Sequence, residues 1–412
     1  MRLRTSIAAL AASAVLPVSV AHAVDLEVTH WWTSGGEAAA VAEFAKAFNE
    51  KTEHNWVDGA IAGGSGAANP VIANRILGGE PMGATMMNTG RDAEEMVEAG
   101  LMLDITEVVE NSGVLEVESA PGLFENCKFE GRYYCVPVNI HSWQWMWTSR
   151  DAFEKAGVEP PKNWNEFVEA VPALKEAGII PLAMGQQSWQ SSGAFGVLET
   201  ALGGVDLKMS IYRDRDMDAA AGDEMRKIIE AFGAAREFAA DSAVQDWNQA
   251  TNLVITDQAA AQIMGDWAQG EFSVAGEVAG EDYDCLPGLG IHEILDTGGD
   301  SFYFPKSGDP EIQAAQKELA ALLISPEVQV AFNLKKGSLP VRNDVDLEAA
   351  NACMKKGLEI LKAGNVMPNT EQLNNPDTEG RLEDLWVEFW FDKSITPEAA
   401  HEQFVEIMSQ AD

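Results

Sequence analysis

From Leu26 onward the chain alternates between two hydrophobic periods, and this alternation constrains its fold more than any other feature. Leu26, Val28 and His30 are spaced two apart, with Glu27, Thr29 and Trp31 between them; Val41, Phe44, Ala45 and Phe48 then recur at i, i+3, i+4 and i+7. That is a strand followed by an amphipathic helix. The pattern repeats as a strand over 56–62, a helix over 70–77, a strand over 84–88 and a helix over 93–99, the βαβ order of a mostly parallel sheet. An α-rich stretch follows over 151–270, with helix patterns at 164–177 and 223–240. Residues 283–305 return to strands and Gly-rich turns, 310–332 read as helix, and the tail over 347–412 is helical around a Pro/Asn-rich interruption at 367–376. There is no internal repeat. An α/β sheet interrupted by an α-rich insertion and then resumed predicts two lobes, with the chain crossing between them more than once and a hinge at the crossings.

The first residues stand outside this pattern. Arg2 and Arg4 precede an almost wholly apolar run over 6–20, and Ala21-His22-Ala23 is a small-x-small site. This reads as a signal peptide over 1–23, cleaved after Ala23. The run is about 15 residues, short of the ~20 that span a bilayer, so no membrane insertion is expected. Val24 rather than Cys excludes a lipoprotein anchor. The 412 residues are long enough for two to four domains at roughly 100–200 residues each. Acidic groups number 65 against 28 basic, and losing Arg2 and Arg4 leaves 26, so the mature chain carries about −39. Such a surface is unsuited to nucleic acid or anionic lipid and suits a neutral ligand. With 33 aromatic residues the chain is nevertheless rich enough in core formers to fold.

Export makes Cys127, Cys135, Cys285 and Cys353 readable as disulfide partners, with three pairings open. Cys127 and Cys135 flank a hairpin-like Glu130-Gly131 turn, which allows a cross-strand bridge and leaves Cys285 with Cys353; four free thiols are the alternative. No Cys-x-x-Cys or His-x-x-x-His spacing supports a zinc site.

Trp31-Trp32-Thr33-Ser34-Gly35-Gly36-Glu37 is the most informative stretch. Adjacent tryptophans at a strand end point to opposite faces, and the carboxyl ends of strands are where open α/β sheets place ligands. Glu37 has two readings. Ser34-x-x-Glu37 is a capping box worth about 1 kcal/mol, and Glu37 is equally placed to touch a ligand. The Gly pair does not match a dinucleotide fingerprint.

Tryptophans number 12 against 5 tyrosines. Trp189, Trp247 and Trp267 each lie in polar surroundings: Gln187-Ser188-Trp189-Gln190, Asp246-Trp247-Asn248 and Gly265-Asp266-Trp267. Indole faces stack on the C–H faces of a sugar while carboxylates and amides take its hydroxyls, so these three read as pocket residues. The alternating Trp143, Trp145 and Trp147 read as core. Lys335-Lys336-Gly337 is either a helix C-terminus or a source of a charged hydrogen bond to a hydroxyl. Catalytic signals are poor: His30, His54, His141, His292 and His401 are scattered, and no Gly-x-Ser-x-Gly or His-Glu-x-x-His occurs. A secreted glycoside hydrolase, needing only two carboxylates, is the enzyme alternative; a binder of a zwitterionic osmolyte in an aromatic box is another.

Six blocks in order resemble the extracellular solute-binding proteins of bacterial sugar ABC transporters, in their glucose-type branch. They are residues 31–37, Gly131-Arg132-Tyr133-Tyr134-Cys135-Val136-Pro137-Val138-Asn139, Phe153-Glu154-Lys155-Ala156-Gly157 with Pro160-Pro161-Lys162-Asn163-Trp164, Met264-Gly265-Asp266-Trp267-Ala268, Asp300-Ser301-Phe302 and Lys336-Gly337-Ser338. The resemblance implies an α/β, two-lobed periplasmic binding protein fold of type II. Its N-terminal lobe would comprise 24–135 with 293–340, and its C-terminal lobe 136–292 with 341–412. It implies that Trp31, Trp32 and Glu37 face Trp189, Trp247 and Trp267 across a sugar, with Asp300 and Lys336 binding hydroxyls; Asn88 and Asp266 are further candidate ligand contacts. It also implies a Cys285–Cys353 bridge. The expected protein is a periplasmic monomer that hands its sugar to the permease subunits, with no catalytic residue, cofactor or metal. Two segments depart from the glucose-type pattern: Met86-Met87-Asn88-Thr89 after the third strand, and Pro368-Asn369-Thr370-Glu371 in place of a Pro-Ser-x-x-His loop. The expected ligand is therefore glucose, a related monosaccharide or a small glucoside.

Overall fold

A computed structural model describes residues 23–89, 92–368 and 370–411. The expected signal peptide lies outside them, apart from Ala23. In chain order the main elements are β1 (Asp25–His30), α1 (Gly35–Lys51), β2 (Asn55–Ala60), α2 (Ser65–Leu77), β3 (Ala84–Asn88), β4 (Cys135–Pro137), β5 (Trp145–Ser149), α3 (Trp164–Glu176), β6 (Ile180–Ala183), α4 (Ser188–Tyr212), α5 (Asp223–Phe238) and α6 (Trp247–Ile255). They continue with β7 (Ala259–Ile263), α7 (Ala268–Ala275), β8 (Tyr283–Pro287), β9 (Asp300–Tyr303), α8 (Pro310–Leu323), α9 (Pro326–Lys336), α10 (Ala352–Lys362), α11 (Pro376–Phe391) and α12 (Pro397–Met408).

Two sheets organise two lobes. The first runs β2-β1-β3-β9-β4 and the second β8-β5-β7-β6. Both are mixed, which corrects the expectation of a mostly parallel sheet. β1 pairs parallel with β2 and β3, and β6 with β7, but β9 is antiparallel to β3 and β4, and β5 to β7 and β8. The physical reason is the crossing. A parallel strand ends at the cleft, so a chain arriving from the other lobe enters at the cleft and its first strand runs the opposite way. β5 and β9 are those entering strands, and β4 and β8 run back to the cleft and leave. At the crossing the backbones of Ile140 and Leu339 exchange hydrogen bonds of 2.7 and 2.9 Å.

Two apolar clusters form the core, and the first continues past the crossing to Trp145, Trp147 and Tyr283 of the second sheet. In the first, Phe44 from α1 stacks on Phe332 from α9 with centroids 4.1 Å apart, edge-on to Phe302 of β9. Truncating a buried phenylalanine of this kind costs about 3–5 kcal/mol. In the second, Phe195 of α4 stacks on Trp386 of α11 at 3.6 Å, and α5 packs Phe232 against both. The tail helices α11 and α12 thus complete the second lobe. The expected helix over 310–332 is two, because Pro326 opens α9 at the helix position where a missing N–H is harmless, with Ser325 before it.

Both cysteine pairs, Cys127 with Cys135 and Cys285 with Cys353, are bonded. Between the first two, Glu130 (φ 47°) and Gly131 (φ 80°) form the left-handed turn of a tight hairpin whose arms pair Lys128 with Tyr133 and Phe129 with Arg132. Cys285 lies in β8 and Cys353 in α10, so that bridge ties the tail to the second sheet.

Candidate ligand-binding cleft

A cavity of about 320 Å³ lies between the lobes. Its first-lobe wall carries Trp31, Trp32, Ser34, Glu37, Asn88, Asp300 and Lys336; the opposite wall carries Trp143, Gln187, Trp189, Asp246, Trp247 and Trp267; His141 stands at the crossing. The topology produces this gathering. Trp31 and Trp32 follow β1, Asn88 ends β3, Asp300 opens the antiparallel β9 and Trp267 follows β7, so each of these strands presents its cleft end here. α1, α2, α4 and α6 also begin at the cavity, turning the positive ends of their dipoles toward it.

The aromatic wall is built by contact. Trp143 meets Trp267 nearly perpendicularly, centroids 4.8 Å apart, and Trp189 edge-on at 5.6 Å; His141 lies 5.0 Å from Trp267. Glycine makes room for two of these rings. A Cβ at Gly265 would fall 2.0 Å from the Trp267 ring, and one at Gly193 would fall 2.3 Å from Trp143. Trp32 differs. It is 1% exposed and packs on Phe44, Phe302 and Phe332, so it is the floor of the cavity and part of the first core at once.

Glu37 and Lys336 reach the cavity as a pair. Lys336 Nζ donates to Glu37 Oε1 at 2.6 Å, both groups are buried, and the ammonium lies 5.3 Å from the Trp32 ring centre. The competing helix-end readings hold too. Ser34 Oγ caps α1 by accepting from Glu37 N, and Gly337 (φ 89°) closes α9 in the left-handed region. The reciprocal half of the capping box is replaced: the Glu37 carboxylate takes Lys336 and the Ser34 hydroxyl instead of the Ser34 N–H. Glu271 of α7 reaches across to accept from Gly36 N at 2.6 Å, and the two helices touch so closely that a Cβ at Gly36 would lie 2.5 Å from the Gly270 carbonyl carbon.

Asp300, 1% exposed, takes Asn139 Nδ2 at 2.8 Å and has His141 Nδ1 3.0 Å from the same oxygen. The contact is an ion pair when the imidazole is protonated. Burial pushes the Asp300 carboxyl up, but His141, Lys336 and Asn139 outweigh it and hold the group below its usual range. Burial lowers His141, and Asp300 outweighs that, so the imidazole holds its proton above the ordinary histidine value.

Nine of the ten expected ligand residues line the cavity, and Asp266 does not. It turns inward, 3% exposed, and accepts from Ser142 N at 2.9 Å while its other oxygen accepts nothing from the described residues. Burial pushes its carboxyl up to about 8, against the opposing pull of His141, Ser142 N–H and Lys336. Asp266 therefore fixes the crossing segment beneath the wall. The expectation that Trp143 is core fails in the other direction: Trp145 and Trp147 are buried, but Trp143 is on the wall. His141 was not singled out either. Of the departing segment 86–89, Met86 and Met87 are buried and Thr89 bonds Ser301, so Asn88 alone reaches the cavity. No group of three metal-ligating side chains occurs among the described residues.

The chain is similar to known proteins over most of its length. The model of the bacterial extracellular solute-binding protein family matches residues 32–330. A probable sugar-binding periplasmic protein of Brucella melitensis is 37% identical over 343 residues, covering 83% of this chain and 80% of that one. One of the same description from Rhizobium meliloti is 35% identical over 368 residues, covering 89% and 88%. Among solved structures, a chitin oligosaccharide binding protein superposes with a TM-score of 0.77 over 94% of this chain and 99% of the other at 16% identity, which shows a common two-lobed fold. With that fold, a cleft between the lobes and a family match over most of its length, the chain belongs to the bacterial extracellular solute-binding proteins.

Proposed function

We propose that this protein is the periplasmic receptor of an ABC importer, binding a neutral sugar in the cleft and delivering it to the permease subunits as a monomer. One observation carries the reading: an aromatic wall of Trp143, Trp189 and Trp267 faces two internally neutralised ion pairs, Glu37–Lys336 and Asp300–His141, across a single cavity. Indoles match the C–H faces of a pyranose, and charged groups already paired offer oriented donors and acceptors without demanding a counter-charge from the ligand. The relatives from Brucella and Rhizobium, both named as sugar-binding periplasmic proteins, support the class. We assign the lobes as 24–135 with 293–340 and 136–292 with 341–412, with the short strand β4 carrying the first sheet slightly past that boundary. The ligand class is glucose, a related monosaccharide or a small glucoside.

A hydrolytic reading asks for a protonated carboxylic acid in the cavity. Asp300 is held ionised by His141, Glu37 is committed to Lys336, and Asp246 caps α6 and accepts from Gln187 Nε2 at 3.1 Å, so each carboxylate on the wall is engaged otherwise than as a general acid. We read the cleft as binding without turnover, with the permease reading the closed form. Stacking on two indoles with several charged hydrogen bonds matches the ~8 kcal/mol of a micromolar complex. Titration calorimetry against mono- and disaccharides and glycine betaine tests this. A saturable heat with one sugar and no product supports it, and silence with every sugar overturns it.

A further inference from the structure

Beyond Trp143 and Trp189 the cleft opens into a second chamber of about 420 Å³, which shares Ser65, Asn88, Trp143 and Trp189 with the first. We propose that this chamber is a second glycosyl subsite, so that the physiological ligand is a neutral glycoside of at least two units, lying across the Trp143–Trp189 edge. The proposal rests on the sugar-binding reading above and adds the size of the ligand to it.

Three observations converge. First, polar side chains line the chamber from both lobes: Asn69 and Asp92 from the first, Gln144, Lys208, Asn374 and Glu379 from the second. The amide oxygens of Gln144 and Asn69 accept no hydrogen bond from any described residue, and Gln144 is 1% exposed. Both oxygens are shielded as the side chains stand, so a ligand hydroxyl satisfies them once the amides turn toward the chamber. Second, helices on opposite sides of the chamber carry glycine where nothing in the backbone asks for it. Gly66 on α2 and Gly380 on α11 have ordinary helical φ, and a Cβ at either would meet no atom within 4 Å. Glycine is a poor helix former, so its presence at two open positions on facing walls keeps space free. Third, Pro70, four residues after Gly66, has no N–H to give the Gly66 carbonyl, and both line the chamber. An acceptor without its helical donor is thereby left at the rim.

The test fills the chamber without touching the first cavity. Wild type, Gly380→Phe and Gly66→Phe are titrated with glucose, galactose and xylose, and with maltose, cellobiose, trehalose, lactose, melibiose and xylobiose; thermal melts confirm that each variant is folded. In wild type at least one disaccharide should bind about tenfold or more tightly than its component monosaccharides, as expected for a second set of contacts. Each plug should abolish that advantage and leave monosaccharide affinity within about twofold, since neither touches the first cavity. The two plugs lie on different lobes, so a folding defect in one leaves the other to decide. Monosaccharides binding as tightly as every disaccharide, or a disaccharide advantage that survives both plugs, overturns the subsite while leaving the sugar-binding reading standing. No heat from any sugar overturns that reading, and this one with it.

Discussion

Lys336 Nζ lies 2.6 Å from Glu37 Oε1, joining the last residue of α9 to the first turn of α1 beneath the ligand cavity. Both groups are out of water, so each is tolerated only because the other is present. Lys336→Met leaves Glu37 buried without its countercharge and should cost roughly 3–5 kcal/mol in urea unfolding. Adding Glu37→Gln to that variant should restore part of the loss, because no orphan charge remains. Strictly additive losses would show that the two are not coupled.

Trp143 and Trp145 are two residues apart and should behave oppositely. Trp145 is 2% exposed and stacks on Trp147 at 5.6 Å, so Trp145→Ala should lose about 3–5 kcal/mol of stability. Trp143 stands on the cavity wall, so Trp143→Ala should weaken sugar binding by about tenfold or more with a much smaller change in melting temperature. Calorimetry paired with thermal melts separates the two, and equal affinity losses would place the sugar elsewhere. Trp32→Ala is a poor probe, because its effect on affinity would be mixed with loss of the Phe44–Phe332 core.

That contrast also shows what the sequence could and could not disclose. The polar flanks of Trp189, Trp247 and Trp267 mark them as indoles that keep one side toward polar groups, and all three line the cavity. Trp143 escaped because 143, 145 and 147 share one face of a strand only if all three are in it, and β5 begins at Trp145. Trp143 belongs to the crossing segment, where period carries no meaning. His141 escaped for the same reason. Strand direction is likewise invisible to local pattern: nothing in the four residues of β9 sets its sense, which comes from where the chain re-enters the lobe. Asp266 misled by proximity, since a motif beside a wall tryptophan does not say which way the carboxylate turns.

The two disulfides should differ in weight. Cys285 and Cys353 are 68 residues apart and Cys127 and Cys135 only 8. By loop-closure entropy, replacing the first pair with serine should cost about 4 kcal/mol and the second about 2.5 kcal/mol, in equilibrium unfolding. A larger loss at the short loop would mean that the hairpin near Ser301, and not chain entropy, governs.

The Asp300–His141 pair predicts a pH window for the site. Asp300 is held below its usual range, so its contribution is present above about pH 3.8 and is lost as pH falls through its lowered native value. His141 is held above 6.5, so its contribution is complete below that value and is lost as pH rises through its raised native value. Ligand affinity should be flat between these limits and fall on the alkaline side. In Asp300→Asn the main partner of the imidazole is gone and burial dominates, so the His141 ring proton should titrate at lower pH by NMR. An unmoved titration would remove Asp300 as the cause.

Asp266 carries the opposite sign for a carboxylate. Its native value is about 8 against 3.8 for the free group, so the unfolded chain ionises first as pH rises. Stability linked to this group is complete below pH 3.8 and drains away as pH climbs toward about 8, after which no further change is due to it. Asp266→Asn keeps the acceptor for Ser142 N–H but cannot ionise. Its melting temperature relative to wild type should therefore rise steadily between pH 5 and 8 and level off above, a slope that removal of a merely structural contact does not produce. A constant difference across that range would mean that Asp266 is already ionised in the native protein, and that the neutral carboxyl beneath the aromatic wall has been wrongly assigned.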